Sequence, residues 1–217
     1  MPQISTQAFK VVPLRVHSFL ADVPLHDAWV VELPRVRPGI TLNEFLRTPG
    51  VRLFALSPAA QALLNLRFLL GRVFGWDREP ATNSWEPFST RLTTEDQSKS
   101  LAPAGEREGH FRMVYRFENE QLLELANRTV HAAALSALLE TPNTYRFYLG
   151  IYVRSLGWLT PLYMAMISPF RKLIVYPSLL RSVQSAWNHA IQRRQQPLSP
   201  AETAMHARAT GAALQKL

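Results

Sequence analysis

The sequence contains no cysteine, and this absence excludes several structures and chemistries. Without cysteine there can be no disulfide, no thiolate zinc site, no iron–sulfur cluster and no thiol nucleophile. A chain without disulfides also fits the cytosol. Charged residues form only 18% of the 217 residues, against 47% hydrophobic residues, so the chain can build a core and is not disordered throughout. The length predicts one domain of ordinary size.

Motifs that would indicate a particular reaction are also missing. The six histidines show neither H-E-x-x-H nor H-x-H spacing, so the sequence predicts no local metal site. There is no G-x-S-x-G motif for a serine nucleophile. There is no G-x-G-x-x-G motif after a strand, so we expect no dinucleotide-binding domain within this chain. The sequence therefore predicts neither a metal nor a cofactor.

Long uninterrupted hydrophobic runs are absent as well. The first residues contain no apolar stretch of the kind found in signal peptides. Residues 156–180 are apolar enough to suggest a membrane span, but Arg171 and Lys172 lie near the middle of this segment. Two charges at that depth cost several kcal/mol. We therefore expect a cytoplasmic protein, and a peripheral position at the inner membrane is the alternative.

Positive charge is concentrated near the C-terminal end. Residues 1–167 contain 17 Lys and Arg against 15 Asp and Glu, whereas residues 168–217 contain 7 against 1. A basic segment of this kind attracts phosphate on nucleic acids or on anionic membranes. It is also compatible with an ordinary solvated helix face.

The local patterns predict a mixed α and β chain. Residues 28–33 are typical of a strand that ends at Pro34, and Thr41 with Glu44 has the form of a capping box for a short helix. A second helix is predicted over 57–75. Residues 110–117 alternate as a half-buried strand, with Phe111, Met113, Tyr115 and Phe117 on one face. Residues 145–154 indicate another strand. Residues 121–140 are rich in Leu and Ala but are interpreted as one or two strands, because 141–143 is a natural hairpin loop.

The end of the chain indicates a long amphipathic helix. Its apolar stripe comprises Phe170, Leu173, Pro177, Leu180, Trp187 and Ile191. Pro177 is expected to kink it, because proline removes one backbone hydrogen bond. We predict a single domain over residues 10–193, with a long loop or lid over 76–108, and a tail over 194–217 that contains a short helix.

Several stretches resemble an uncharacterised bacterial domain family that is often found behind domains similar to short-chain dehydrogenases. The resemblance is carried by residues 26–29, 69–76, 115–120, 127–131 and 159–171. The order of elements is similar to that of the START-like, or SRPBCC, superfamily. This resemblance implies an α+β helix-grip fold, in which a curved antiparallel sheet wraps a long C-terminal helix and leaves an apolar cavity between them.

The resemblance and the supply of aromatic and methionine side chains together predict a hydrophobic ligand in that cavity. Methionine and aromatic residues make adaptable pocket walls. The ligand would be a lipid, an isoprenoid or a polyketide-like compound. The expected ligand-binding residues are Tyr115, Phe117, Asn127, His131, Tyr148, Tyr152, Tyr163, Met164 and Met166. The same side chains could equally fill a solid core.

Two other functions remain open. In a cyclase- or dehydratase-type enzyme, His131 would transfer a proton while Tyr115 or Tyr152 binds a substrate carbonyl. A buried polar cluster of Asn127, Thr129 and His131 with a purely structural role is the competing interpretation. In an interaction module, the basic helix would contact an anionic membrane or a partner protein through Arg171, Lys172, Arg181, Arg193 and Arg194. Nucleic acid is not expected, because the aromatic residues of this helix lie on its apolar stripe.

Overall fold

The computed structural model describes residues 3–51, 85–127, 130–156 and 159–195, together with most side chains in these ranges. The helices are α1 Thr6–Lys10, α2 Val16–Phe19, α3 Leu42–Leu46, α4 Thr94–Lys99, α5 Leu159–Phe170 and α6 Tyr176–Gln195, with a 3-10 turn at Phe88–Arg91 and a π-helical turn at Arg171–Val175. The strands are β1 Leu25–Pro34, β2 Arg107–Glu108, β3 Phe111–Arg116, β4 Glu120–Ala126, β5 His131–Glu140 and β6 Thr144–Arg154. The predicted helix over 57–75 and the tail helix lie outside the described residues.

These strands form one curved antiparallel sheet in the order β1-β6-β5-β4-β3-β2. Strands β3 to β6 follow each other through short connections. The first strand, β1, pairs with the last strand, β6, and Trp29 lies opposite Leu149. The region 121–140 therefore forms two strands, β4 and β5. Its Leu and Ala content favours helix, but pairing on both edges outweighs that weak preference. The turn at 141–143 is closed by the Thr141 N–H, which donates to the Thr144 carbonyl at 2.8 Å.

Alternate residues of each strand divide the sheet into two covered faces. We call the side beneath the C-terminal helices the helix face, and it carries Trp29, Val31, Leu33, Tyr145, Phe147 and Leu149. The opposite side is the N-terminal face, which carries Ala28, Tyr115, Leu122, Leu135, Tyr148 and Tyr152. Because side chains alternate across a strand, neighbouring residues along the chain belong to different cores.

The helix face packs against α3 and α6. Phe45 of α3 lies between Phe147 of the sheet and Trp187 of α6, with ring centroids 5.4 and 5.3 Å away. The Trp187 indole N–H donates to the Pro34 carbonyl at 3.0 Å, so this buried ring is also satisfied. Each large side chain buried here contributes about 1.5–3 kcal/mol. The first turn of α3 is capped as predicted, since the Thr41 hydroxyl accepts from the Glu44 N–H at 3.2 Å.

The N-terminal face is covered by residues 4–23 and by the segment that begins at Trp85. Phe9, Val16, Phe19 and Leu20 share one core with the sheet residues of this face. Phe9 fits because residue 150 is glycine: a Cβ there would lie 3.0 Å from the Phe9 ring. The N-terminal segment is therefore a tightly fitted part of the domain.

The described part of the predicted 76–108 loop contains regular structure. Residues 85–108 include the 3-10 turn, helix α4 and strand β2. Thr93 and Asp96 form a capping box at the start of α4, and Phe88 is fully buried. Aliphatic residues are scarce in this stretch, so capping and a few aromatic anchors, rather than periodicity, hold it in place.

The alternation predicted for β3 is wrong beyond Met113, because a β-bulge interrupts it. Met113 pairs with Leu123, whereas Tyr115 pairs with Leu122, so Val114 is the extra residue. Met113 consequently packs with Ala102 and Leu123. Val114 and Tyr115 both join the core of the N-terminal face. A bulge shifts the register by one residue and moves every later side chain to the other face.

The predicted C-terminal helix is present, but its apolar stripe changes phase. Phe170 and Leu173 are 47% and 74% exposed, while Tyr176, Leu179, Leu180, Val183 and Trp187 are buried. The π-helical turn at Arg171–Val175 separates the two segments. A π turn contains more residues than an α turn and so rotates the face that follows it. The turn ends two residues before Pro177, which has no N–H to donate to the Leu173 carbonyl.

Candidate functional site

The structure divides the predicted ligand-binding residues between the two faces. Tyr115, Tyr148 and Tyr152 belong to the core of the N-terminal face, and Phe117 packs against it. Met164 lies on the helix face with Val130 and Val153. The side chains of Tyr163, Met166 and Arg194 lie outside the described part of the chain. The described members of the predicted set therefore do not surround one common space.

The aromatic residues of the N-terminal face contact other parts of the same chain. The Tyr115 ring stacks on Phe117 at 4.4 Å and meets Phe19 edge-on at 5.4 Å. Tyr148 contacts Phe9 at 6.0 Å between ring centroids. The Tyr152 hydroxyl lies 3.4 Å from Nδ1 of His17. These contacts use the surfaces that a ligand on this face would need.

His131 is enclosed by the segment that begins at Trp85. Its ring is stacked on Phe88 at 3.8 Å, and Trp85 contacts it edge-on at 4.9 Å. Its Nε2 lies 3.2 Å from Glu124, whose carboxylate also accepts the Phe88 N–H at 2.7 Å. His131 has no exposed surface. The pair of His131 and Glu124 thus fastens the Phe88 segment to the sheet.

Glu120 fastens the N-terminal segment in a similar way. Its carboxylate accepts the Tyr115 hydroxyl at 2.7 Å and the Arg15 backbone N–H at 2.8 Å, at the start of α2. Burial raises the pKa of Glu120, although the hydrogen bond from Tyr115 acts in the opposite direction. Burial also raises the pKa of Tyr115 well above its usual value.

The structure does not bring Tyr115 and His131 together. Tyr115 pairs with Leu122 and His131 with Ala126, so they are separated by four residues along β4. Four residues of a strand span about 13 Å. Asn127 serves the connection between β4 and β5, where its side-chain oxygen accepts the Val130 N–H at 3.0 Å.

The helix face contains apolar residues that are only partly covered. Leu125, Ala132 and Ile151 lie in the three central strands, yet each remains partly exposed. Leu125 pairs with Ala132, and Ile151 pairs with the next residue of β5 on this face, Ala134. Met164 of α5 forms one apolar cluster with Val130 and Val153, and Ala132, Ile151 and Ile167 pack against it. We call these residues, Leu125, Ala132, Ile151, Met164 and Ile167, the apolar patch.

A cluster of charged and polar groups adjoins the apolar patch at the start of β1. The Asp27 side chain has no exposed surface, and Arg171 and Lys172 place nitrogens 3.3 and 3.5 Å from its oxygens. The Tyr176 hydroxyl lies 3.4 Å from the same carboxylate. The Trp29 ring lies 5.6 Å from Tyr176. We call Asp27, Trp29, Arg171, Lys172 and Tyr176 the polar cluster.

The polar cluster contains buried atoms without hydrogen-bond partners. They are Oδ1 of Asp27, Nε1 of Trp29 and Nε of Arg171. Most buried polar atoms in proteins have a partner, so each exception requires an explanation. The apolar patch is directly adjacent, because Asp27 pairs with Ile151 and an Arg171 nitrogen lies 3.9 Å from the Met164 sulfur. The two features form one continuous surface.

The sequence contained a signal for this cluster. Asp27 lies two residues before Trp29 in β1 and is therefore on the same side of the strand as Trp29, Val31 and Leu33. These three residues all face the helices. A carboxylate on that stripe requires a cationic partner, and Arg171 with Lys172 is a consecutive basic pair in an apolar segment. The signal does not identify the partner by itself, because the contact connects distant parts of the chain.

Other surfaces of the described residues offer less chemistry. An open cleft of about 550 Å³ runs along residues 100–104, and another of about 390 Å³ lies between Gly50 and Arg193. Neither is lined by a described side chain with a buried unpartnered atom. Among the described residues, no group of three or more acidic or histidine side chains could hold a metal ion. No helix within those same ranges is long and apolar enough to cross a membrane.

Comparisons with known proteins place the chain in a family without assigning an activity. No curated protein and no solved structure matches it. A family model matches residues 19–178, a range that includes all of β1 to β6 and all residues of the apolar patch and the polar cluster. This match confirms the resemblance to an uncharacterised domain family. Since it covers well over half of the chain, the protein belongs to the family described as Protein of unknown function (DUF2867).

Proposed function

We propose that this protein binds a small hydrophobic molecule between the helix face of its sheet and helix α5. The observation that carries the proposal is the partial exposure of Leu125, Ala132 and Ile151 in the three central strands. Central strands covered by helices normally bury such residues completely, as Leu138 and Phe147 are buried nearby. Accessible apolar surface within a covered region is typical of a ligand pocket.

We further propose that the architecture is of the helix-grip type found in START-like domains. The first strand lies beside the last one, and the C-terminal helices lie along one face of a curved sheet. The resemblance to that superfamily implies a cavity between the sheet and the last helix. The apolar patch lies in the corresponding place.

Burial of apolar area supplies the binding free energy in this proposal. Removing about 200 Å² of ligand and patch surface from water contributes about 5 kcal/mol. Part of this gain is offset by the lost freedom of the ligand. Small side chains at Ala132 and Ala134 leave volume for the ligand on the central strand.

The geometry favours binding over the cyclase- or dehydratase-type alternative. His131 is covered by Phe88 and Trp85, and the Tyr115 hydroxyl is engaged by Glu120. The geometry also weakens the interaction module, because Arg171 and Lys172 point toward Asp27. Of the four basic residues of this module whose side chains are described, only Arg181 and Arg193 are exposed.

A neutral fluorescent probe tests the proposal. N-phenyl-1-naphthylamine gains fluorescence in apolar pockets, and we expect the wild-type protein to bind it. The variant Ala132→Phe adds a ring over the apolar patch and should lower the affinity about tenfold or more. Ala165→Phe is the matched control, since Ala165 is an exposed alanine of α5. Melting temperatures are measured in parallel to confirm that both variants fold.

Absence of probe binding, or equal affinity for the wild type and a folded Ala132→Phe variant, would contradict the proposed site. Mass spectrometry of an organic extract of the gently purified protein provides an independent readout. A hydrophobic molecule present in stoichiometric amount in the wild type, and depleted in Ala132→Phe, is the expected result.

A further inference from the structure

We propose that the polar cluster receives the carboxylate of an amphiphilic monoanion whose apolar tail lies on the apolar patch. This inference rests on the proposed function and specifies the chemical class of the ligand. It is carried by three features of the polar cluster: its charge balance, its unpartnered donors and its continuity with the patch.

Among the residues that the structure describes, the charges around Asp27 leave one positive charge uncompensated. Asp27 is the negative group, and it faces both Arg171 and Lys172. His26 is the other titratable neighbour, and burial together with Arg171 lowers its pKa, so it is neutral at pH 7. Burial raises the pKa of Tyr176, which therefore stays protonated. The excess charge is that of Lys172, whose side chain is 40% exposed at the rim of the cluster, and an anionic ligand group beside Arg171 would neutralise it.

The unpartnered donors point to the same kind of ligand. Trp29 is 5% exposed, and its indole N–H has no acceptor. The Nε–H of Arg171 also has none, although a terminal nitrogen of this residue contacts Asp27. Both groups can only donate, so they require an acceptor. A carboxylate only accepts, and it can receive two parallel N–H groups from one guanidinium.

The π-helical turn explains how two consecutive residues reach the same place. Arg171 and Lys172 both approach Asp27, whereas Leu173 is 74% exposed. Single π-helical turns occur frequently at functional sites. Here the turn adds a second cation that Asp27 alone does not require.

The single excess charge favours a monoanion over a phosphate monoester. A dianionic phosphate would reverse the local charge from positive to negative, whereas a carboxylate would cancel it. The adjoining patch consists of aliphatic side chains and a methionine, which suits an alkyl or isoprenoid chain. Fatty acids and other long-chain carboxylic acids have this combination of groups.

Decanoate and 1-decanol test the inference, because they share one tail and differ in the head group. We measure the dissociation constant of each by displacement of N-phenyl-1-naphthylamine at pH 7. Wild-type protein is expected to bind decanoate at least about tenfold more tightly than decanol. In Arg171→Gln the decanoate affinity should fall about 10- to 100-fold, while the decanol affinity stays within about twofold. Arg181→Gln, an exposed arginine of α6, is the matched control.

Two further variants keep the inference testable if Arg171→Gln does not fold. Trp29→Phe removes the indole N–H and should weaken decanoate about threefold to tenfold without affecting decanol. Asp27→Asn removes the competing carboxylate, so decanoate should bind more tightly.

The outcomes separate the two proposals. If decanol and decanoate bind equally and Ala132→Phe weakens both, the hydrophobic pocket stands and the carboxylate site is wrong. If neither compound displaces the probe, the proposed function fails together with the inference. A larger effect of Arg181→Gln than of Arg171→Gln would also contradict the assignment.

Discussion

The two faces of this sheet differ in whether their buried charged groups have hydrogen-bond partners. On the N-terminal face, the carboxylates of Glu120 and Glu124 each accept at least two hydrogen bonds from groups that belong to the covering segments or to the sheet. On the helix face, Asp27, Trp29 and Arg171 keep atoms without hydrogen-bond partners. The first arrangement stabilises the fold, and the second is suited to a ligand.

The histidines of the N-terminal face sharpen this comparison. His17 and His131 each have one unpartnered ring nitrogen, but their rings pack against Phe9 and Phe88. One ring nitrogen without a hydrogen-bond partner, on a ring packed against an aromatic side chain, differs from three such atoms beside an accessible apolar surface. Gln121 is a further helix-face residue with a buried atom that lacks a hydrogen-bond partner. This atom is its side-chain nitrogen, while its side-chain oxygen accepts from Arg116.

The largest expected effect is loss of stability on the N-terminal face. Phe88→Ala removes the ring that is stacked on His131 and should lower the free energy of unfolding by about 3–5 kcal/mol. Phe170→Ala is the matched control, because Phe170 is half exposed and should cost little. Chemical denaturation measures both variants. A cost below about 1 kcal/mol for Phe88→Ala would remove the structural interpretation of this face.

The next effect concerns the fit of the N-terminal segment on the sheet. Gly150→Ala places a methyl group against the Phe9 ring and should cost about 1–3 kcal/mol. Phe9→Leu in the same chain should recover part of the loss, because a smaller side chain relieves the contact. A double-mutant cycle measures this coupling. Strictly additive effects would show that Phe9 and residue 150 do not interact as described.

A pH dependence distinguishes Glu120 from Asp22 and Asp96, whose carboxylates are paired with arginines. Its pKa is raised in the folded state, so the folded protein binds this proton more readily than the unfolded chain does. Stability attributable to Glu120 is therefore greatest at low pH and declines as pH rises from the unfolded pKa through the folded one. Asp22 and Asp96 have lowered pKa values, because Arg91 and Arg15 donate hydrogen bonds to them. The stability that these two carboxylates contribute is therefore lost as pH falls below the usual pKa of an aspartate.

The variant Glu120→Gln isolates this contribution. The decline of the unfolding free energy above the usual carboxylate pKa should become shallower, whereas the loss at lower pH persists. Denaturation curves from pH 3 to pH 8 measure both slopes. An unchanged upper slope in the variant would assign the pH dependence to other groups.

The smallest predicted effect lies at the edge of the polar cluster. The Lys172 side chain is 40% exposed, so solvent screens its charge. Lys172→Gln should weaken decanoate only about twofold to threefold, with no loss of stability. Displacement titrations compare this variant with Arg171→Gln. An equal or larger loss for Lys172→Gln would move the centre of the carboxylate site from Arg171 to Lys172.

Local patterns were sufficient to predict much of the fold. Strands β1 and β6, the cap at Thr41 and the C-terminal helix follow from alternation, capping residues and helical spacing. The bulge at Val114 could not be predicted, because the alternation of residue types continues through it. The π-helical turn leaves no mark in the sequence, so the predicted apolar stripe is wrong at Phe170 and Leu173, whereas Leu180 and Trp187 are buried as predicted.

The candidate site was harder to predict than the fold. Alternation assigns residues to two faces but does not say which face the helices cover. His131 and the tyrosines therefore looked like pocket residues, although residues 4–23 and Trp85 with Phe88 cover them. Asp27 lies on an apolar stripe and therefore requires a cationic partner, but Arg171 is far away in the chain and no local pattern identifies it as that partner.

The central claim is that a ligand enters on the helix face and leaves the N-terminal face unchanged. Methyl NMR of isoleucine-labelled protein tests this directly, since Ile151 and Ile167 belong to the apolar patch and Ile4 packs on the opposite face. On addition of decanoate, we predict that the Ile151 and Ile167 signals shift while the Ile4 signal stays in place. A shift of Ile4 without a shift of Ile151 and Ile167 would contradict the account.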